Sequence, residues 1–253
     1  MGRGTAPTGH DARAVNSTGL SLSDISGSDG ERTKGGSRVD YSPSVPAVDG
    51  LPDFTLPATE LAPLLLGCLL VRHPQPGESG DRRAGVIVET EAYPGGPDRA
   101  SHTFGGRRTP RVASMWRMGG HAYVYFTYGM HFCMNVVSGT AESGEAVLVR
   151  ALEPCEGLDA MWVARGRPMG RHRWRNLCRG PARLCQACGI DRSLDGAWLA
   201  PGQGGLSIEP PRRSAARLGP IRTGPRIGVA YAGPWARQSW RFWVATSPFV
   251  SDA

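Results

Sequence analysis

The sequence predicts an α+β fold, a single domain with a curved, mostly antiparallel β-sheet core, peripheral helices and a disordered N-terminal tail. Three observations predict it. Strand-like segments outnumber helical ones, and no connection between consecutive strands reads as a right-handed helical crossover, which favours antiparallel pairing. The stretch Tyr123 to Val137 crowds aromatic and β-branched residues around Gly129, so two strands meeting at a tight turn is the natural reading. With 253 residues, 40% of them hydrophobic, the chain can enclose one good-sized core.

Residues 1–50 are dominated by Gly, Ser, Asp, Thr and Arg, with too few large apolar side chains to offset the entropy lost on ordering. The domain is therefore expected over residues 51–253. Within it, Thr59 to Gly67 reads as a short helix that tolerates Pro63 in its first turn and stops at Gly67. Cys68 to Arg72 is a buried strand, and a charged Pro/Gly-rich loop from His73 to Arg83 leads to a second strand, Gly85 to Tyr93. On that strand Glu89, Glu91 and Tyr93 share one face and Val86, Val88 and Thr90 the other. Pro94 to His102 reads as a turn opening a short helix, and Gly105 to Arg111 as a cationic loop ending at a helix start. In the hairpin that follows, Tyr123 and Tyr125 share one side and Tyr128 occupies the tip. Glu145 to Pro154 is a strand carrying Arg150 in an apolar run. Gly157 to Val163 and Pro181 to Cys188 are helices. Arg192 to Thr223 reads as a surface excursion around one strand, Leu206 to Glu209, and Arg226 to Ala230 and Arg241 to Val244 complete the sheet.

Composition narrows the chemistry. No apolar run approaches the ~20 residues that span a bilayer, and the polar opening lacks the apolar stretch of a signal peptide, so an intracellular protein is expected. Six irregularly spaced cysteines suit reduced thiols there better than a disulfide framework. Cys185 and Cys188 have zinc-like spacing, but adding His172 and Cys178 gives intervals that match no common ligand scheme, so buried thiols are favoured over a metal. Residues 1–50 hold five basic and six acidic residues, which leaves 24 basic against 16 acidic, a net +8, on the remainder. Lys34 is the only lysine, so the other 28 basic residues are arginine, the residue whose planar fork grips phosphate. Beyond residue 50 there is no lysine to form a Schiff base, carry pyridoxal phosphate or complete a phosphate-binding loop.

Four features bear on function. Two in-line carboxylates, Glu89 and Glu91, stand near a strand end beside aromatic residues, where either can serve structure or hold and deprotonate water. Arg150, in an apolar run, demands a partner, Glu89, Glu91 or a bound water. Gly105-Gly106-Arg107-Arg108-Thr109-Pro110-Arg111 can cradle phosphate or be a solvated loop. Tyr128, turned outward at a rigid tip, is a wedge, a stacking plate or an ordinary exposed tyrosine.

Val88-Glu89-Thr90-Glu91-Ala92-Tyr93, His102, Gly106 to Arg111, Tyr123-Val124-Tyr125, Tyr128-Gly129-Met130, Cys133-Met134-Asn135, Leu148 to Pro154, Gly180 to Ala187 and Ala232 to Arg237 run in one order over about residues 57 to 250. Together these blocks resemble the alkyladenine (3-methyladenine, or methylpurine) DNA glycosylases. The resemblance implies a single-domain enzyme that flips damaged purines such as 3-methyladenine, hypoxanthine or ethenoadenine out of duplex DNA and hydrolyses the N-glycosidic bond, leaving an abasic site. By this match Glu91 is the general base and Arg150 its partner in holding the water. Tyr93, His102 and Tyr125 wall the base pocket, Asn135 lies at its floor against guanine's amino group, and Tyr128 is the wedge. Arg107, Thr109, Arg111 and Met130 are implied DNA contacts, and Glu89 is assigned to structure. Arg150 should also hold Glu91 ionised by lowering its pKa. Thr127 departs from the family pattern, which places an aliphatic residue beside the wedge. The resemblance implies no cofactor, no metal and no membrane, and a monomer acting on double-stranded DNA, in the nucleoid if bacterial, ahead of abasic-site repair enzymes. The missing lysines independently point to a monofunctional enzyme without an imine intermediate. Two rival readings need less: a non-catalytic nucleic-acid-binding module that does not use Glu91, and a carbohydrate glycosidase using Glu89 and Glu91 at roughly 7 Å separation.

Overall fold

The structure, a computed structural model, describes residues 1–2, 50–74, 80, 82–170, 173–202, 204–211 and 218–251. The expected tail and His172 lie outside the described residues. From Val45 onward the chain forms one compact unit. In order it contains α1 (Ala58–Leu64), β1 (Leu69–Arg72), β2 (Arg83–Tyr93), β3 (Ala122–Thr127), β4 (His131–Ser138), β5 (Glu145–Glu156), α2 (Leu158–Ala164), α3 (Pro181–Cys188), β6 (Leu206–Glu209), β7 (Ile221–Gly224) and β8 (Arg241–Val244). Short 3-10 turns at Phe104–Gly106, Pro110–Trp116, Arg192–Leu194 and Ala230–Arg237 link them. The expected α+β class holds, with every strand pairing antiparallel in one curled sheet of order β3-β4-β5-β2-β1-β6. The strand β8 extends the sheet at the far end of β2, and β7 pairs with β8. Among the described residues no helix is long and apolar enough to cross a membrane.

The period of two along each strand sorts side chains between two faces. One face carries Ile87, Val124, Met134, Val136, Val147, Val149 and Leu152, and packs against Leu61 and Leu65 from the first helical segment and Leu184, Cys185 and Cys188 from α3. The helix α1 starts well because the Glu145 carboxylate accepts the Ala58 amide at 2.8 Å, covering one of the donors that a helix start leaves open. The other face packs Tyr123, Val137 and Ala146 against Val112 and Met115 of the 110–116 turn.

β2 and β5 are not regularly paired, and that irregularity matters. Ile87 and Glu89 face adjacent residues of β5, Leu152 and Ala151, so Val88 is an extra residue on β2; Glu89 and Thr90 then face Ala151 and Val149, which makes Arg150 an extra residue on β5. Paired bulges of this kind bend a strand and re-aim side chains. They split the expected face of Val86, Val88 and Thr90: the two valines pack with Ala151 and Val244, whereas the Thr90 hydroxyl donates to Ala62 O on the helix side at 2.9 Å.

Four other expectations are corrected. Pro63 falls near the end of α1, because the helix starts at Ala58. Arg226 to Ala230 is no strand; the strand is Ile221–Gly224, and the chain beyond Pro225 turns into a loop in which Gly228 has φ +78°. The segment from 192 to 223 is more than a surface excursion. Leu194, Leu199, Leu206 and Ile208 enter the core, and the Asp195 carboxylate accepts the Val124 amide at 2.9 Å and the Ser114 hydroxyl at 2.8 Å. Pro94 to His102 forms turns, and the first helical turn after it is Phe104–Gly106.

Candidate active site

On the face away from α1 and α3, neighbouring strands bring Tyr123, Asn135, Leu148 and Glu91 into one row of Cα partners. Beside that row lies a cavity of about 310 Å³ lined by Tyr93, His102, Tyr125, Tyr128, Asn135 and Arg150, among others. Residues spread over 58 positions of sequence therefore face one space, because alternation and register carry them there.

Glu91 is fully buried and lies just behind the lining. Its Oε1 accepts the Ile227 amide at 2.7 Å and faces Arg150 Nη1 at 3.2 Å, and its Oε2 accepts the Tyr93 hydroxyl at 2.9 Å. All three partners line the cavity. A carboxylate has about four acceptor positions, of which Glu91 uses three, so it retains the capacity to accept from one water. Arg150 lowers the Glu91 pKa as expected, but the net shift is upward and the lowering does not by itself hold the carboxyl ionised. Burial raises the pKa and outweighs the lowering by Arg150, the Ile227 amide and Tyr93, because losing water penalises the carboxylate more than these donors restore.

Glu89 is equally buried but differently engaged. Its Oε1 accepts from Arg150 Nε at 3.0 Å, Arg241 Nε at 2.7 Å and Ser251 Oγ at 2.9 Å, and its Oε2 accepts the Ser251 amide at 2.7 Å. Four donors leave it no room for catalysis, so it orients Arg150. The two carboxylates share one guanidinium and do not flank a cleft, which removes the geometric basis for a sugar acid-base pair.

The aromatic walls are mutually braced. The His102 ring meets Tyr125 edge-on at 4.6 Å between centroids, Tyr123 stacks on Tyr125 at 5.2 Å, and His102 Nδ1 shares a hydrogen bond with the Tyr123 hydroxyl at 2.8 Å. Burial, then the positive charges of Arg111 and Arg107, push the His102 pKa down to about 4, so the ring is neutral at physiological pH. The Asn135 amide donates to Tyr123 O at 3.0 Å and is fixed in place.

At the cavity mouth, Met130 N donates to Thr127 O at 3.3 Å across a two-residue turn in which Tyr128 has φ +50° and Gly129 φ +69°. This is the type I′ pattern that matches the twist of a hairpin. Tyr128 stands at the tip, 84% exposed, beside an equally outward Met130 at 71%. Arg111 donates to Phe126 O at 3.2 Å and its guanidinium lies 5.4 Å from the Tyr125 ring centre, at the rim. Thr109 lies farther off, in a shallow groove with Arg108 and Trp116, and Arg107 is exposed on the loop between. Of the sequence candidates, Tyr93, His102, Tyr125, Tyr128, Asn135 and Arg150 reach the cavity lining, Glu91 lies behind it, and Arg107, Thr109, Arg111 and Met130 do not line it.

A model of the methylpurine-DNA glycosylases matches residues 53–248. The chain belongs to this family. As a DNA glycosylase it is a hydrolase acting on N-glycosyl bonds. It is 45% identical over 200 residues to a putative 3-methyladenine DNA glycosylase of Burkholderia cenocepacia, covering 79% of this chain and 89% of that one. It is 45% identical over 206 residues to a protein of the same description from Granulibacter bethesdensis, covering 81% and 88%. With the human DNA-3-methyladenine glycosylase it shares 43% identity over 215 residues, covering 80% of this chain and 67% of that one.

Sequence reasoning missed several residues of this glycosylase's site. Ile227 contributes only its backbone amide to Glu91, so no side-chain pattern marks it. Tyr231, 71% exposed, lines the cavity with Tyr128, and no local pattern marks it. Asp98 reads as part of a turn and Arg226 as the start of a strand, and no motif carries either of them. Among the described residues no cluster of three or more metal-ligating side chains occurs, and Cys178, Cys185 and Cys188 are buried free thiols.

Proposed function

We propose that this glycosylase is monofunctional and acts on duplex DNA, extruding a damaged purine of the 3-methyladenine, hypoxanthine or ethenoadenine class into the cavity and hydrolysing its bond to deoxyribose. The observation that carries the reading is the buried Glu91 carboxylate held by Tyr93, Arg150 and the Ile227 amide at the back of a cavity whose mouth bears Tyr128. A target base inside a helix is out of reach, so Tyr128 fills the gap it leaves and the aromatic walls hold it. Tyr93, His102 and Tyr125 stack on or border the base, and a neutral His102 adds no charge that would repel a methylated, cationic purine. Asn135 obstructs the amino group of guanine. Arg107, Thr109, Arg111 and Met130 meet the DNA around the flipped nucleotide.

Glu91 accepts a proton from water as that water attacks the anomeric carbon, and the purine leaves with the electrons of the broken C–N bond. Its raised pKa makes it a stronger base than a solvated carboxylate. Arg150 orients the same water and stays charged: burial works against its charge, but Glu91 and Glu89 together raise its pKa. With no lysine after residue 34, the matched region has no ε-amine for an imine, and the product is an abasic site.

Base release from duplexes carrying hypoxanthine, ethenoadenine or methylated purines tests the reading, with Glu91→Gln as control. The variant should lose at least about 100-fold in single-turnover rate, at the low end of general-base contributions, while still binding damaged duplex. Full activity of Glu91→Gln, or borohydride trapping of a protein-DNA adduct by the wild type, defeats it.

A further inference from the structure

We propose that Arg226, clamped by Asp98, is a positioning residue that aligns Glu91 and Tyr93 for the hydrolytic step. The inference rests on the proposed role of Glu91 and extends it to a side chain outside the cavity.

Both side chains of the pair are fully buried. Arg226 Nη1 donates to Asp98 Oδ2 at 2.5 Å and Nη2 to Asp98 Oδ1 at 2.9 Å, a bidentate fork. The same two nitrogens donate to Ala92 O at 3.0 Å and Trp235 O at 3.2 Å. The guanidinium carbon lies 4.6 Å from the centre of the Tyr93 ring and 4.9 Å from that of Trp240, a cation held between two aromatic faces. Arg226 does not line the cavity although Tyr93 does, so the guanidinium backs that wall.

The pair joins the parts of the site that alternation along the strands does not fix. Asp98 Oδ1 also accepts the Ala100 amide at 3.0 Å, shaping the turn that leads to His102. The residue after Arg226 is Ile227, whose amide reaches Glu91 at 2.7 Å. One fork therefore sets the back of Tyr93, the turn before His102 and the donor on the catalytic carboxylate.

The acid side of the pH-rate profile reports Glu91, because its ionised form is the base. The charged and titratable groups facing Glu91 are Glu89 and Tyr93 on β2, Arg150 on β5, Tyr125 on β3 and Cys133 on β4, with the Ile227 amide from the loop. Asp98→Asn separates positioning from a through-space charge effect. Removing a nearby negative charge by itself moves the acid limb to lower pH, whereas loosening the loop and losing the Ile227 donor moves it to higher pH.

Single-turnover base release should be measured from pH 4.5 to 8 on duplex DNA methylated to carry 3-methyladenine, for wild type, Glu91→Gln, Asp98→Asn, Arg226→Lys and Arg226→Met. Circular dichroism should check folding, and abasic-duplex affinity should be measured alongside. Positioning predicts rates about 10-fold or more below wild type, an order expected when a reacting group is misplaced. It also predicts an acid limb displaced to higher pH in Asp98→Asn and Arg226→Lys, with affinity for abasic duplex unchanged. Lysine keeps the charge but cannot form the fork. If Arg226→Met fails to fold, the two milder variants decide. An acid limb that stays in place or moves to lower pH in both overturns the proposal while leaving the Glu91 reading intact. A wild type that releases no base overturns both.

Discussion

At the scale of single residues, the site works by burying charge and then satisfying it unevenly. Glu89 has four donors and Glu91 three, so the two carboxylates on one strand end with different chemistry. His102 shows a second use of burial. Its pKa falls to about 4 in the folded chain, against about 6.5 when unfolded. Below pH 6.5 the unfolded chain takes up a proton that the folded one refuses, so stability is full above that value and is lost as pH falls toward 4. Thermal melts of wild type and His102→Gln from pH 7.5 to 4 should show the wild type losing stability that the variant keeps. A stability gap that does not change with pH would mean that His102 titrates normally.

At the scale of elements, the hairpin tip holds a tyrosine in a conformation that suits Asn or Gly. A non-glycine residue in the left-handed region costs roughly 1–2 kcal/mol, and asparagine tolerates it better than most. Tyr128→Asn should therefore leave the fold intact and raise its stability by up to about 1 kcal/mol, read by urea unfolding. It should also lower base release, as should Tyr128→Ser. Unchanged excision would remove Tyr128 from the proposed wedge role. The tip was legible in the sequence because Gly129 interrupts an aromatic, β-branched run, and the shared side of Tyr123 and Tyr125 followed from a period of two. The same period misled at Thr90, because the bulges at Val88 and Arg150 leave no compositional mark. Ile221–Gly224 was missed in favour of Arg226 to Ala230 because local patterning cannot tell which short run finds a free strand edge, and here β8 supplied one. The Ile227 amide and the Asp98–Arg226 pair were hidden for a similar reason: their roles depend on distant parts of the chain meeting.

At the scale of the whole molecule, the cationic excess belongs to the part after residue 50, with 24 basic against 16 acidic residues. Binding that neutralises several phosphates should weaken steeply with salt. With four to six phosphate contacts, log-log slopes of about −4 to −5 are expected between 50 and 200 mM salt, measured by fluorescence anisotropy on a damaged duplex. A flat response would mean that the arginines serve solubility and not DNA. The fold class was readable because one curled antiparallel sheet needs only alternating strands and short turns. The placing of the cavity was not, since it depends on register across strands far apart in sequence.

The bond from the Ser251 amide to Glu89 has a temporal consequence. Glu89 holds Arg150, and Arg150 in turn faces Glu91, so the set of donors behind Glu91 is complete only when residue 251 is in place. A ribosome builds that residue some 160 positions after Glu91 itself. A copy still lacking it has the aromatic walls of the pocket but not the backbone donor that completes the frame around Glu89.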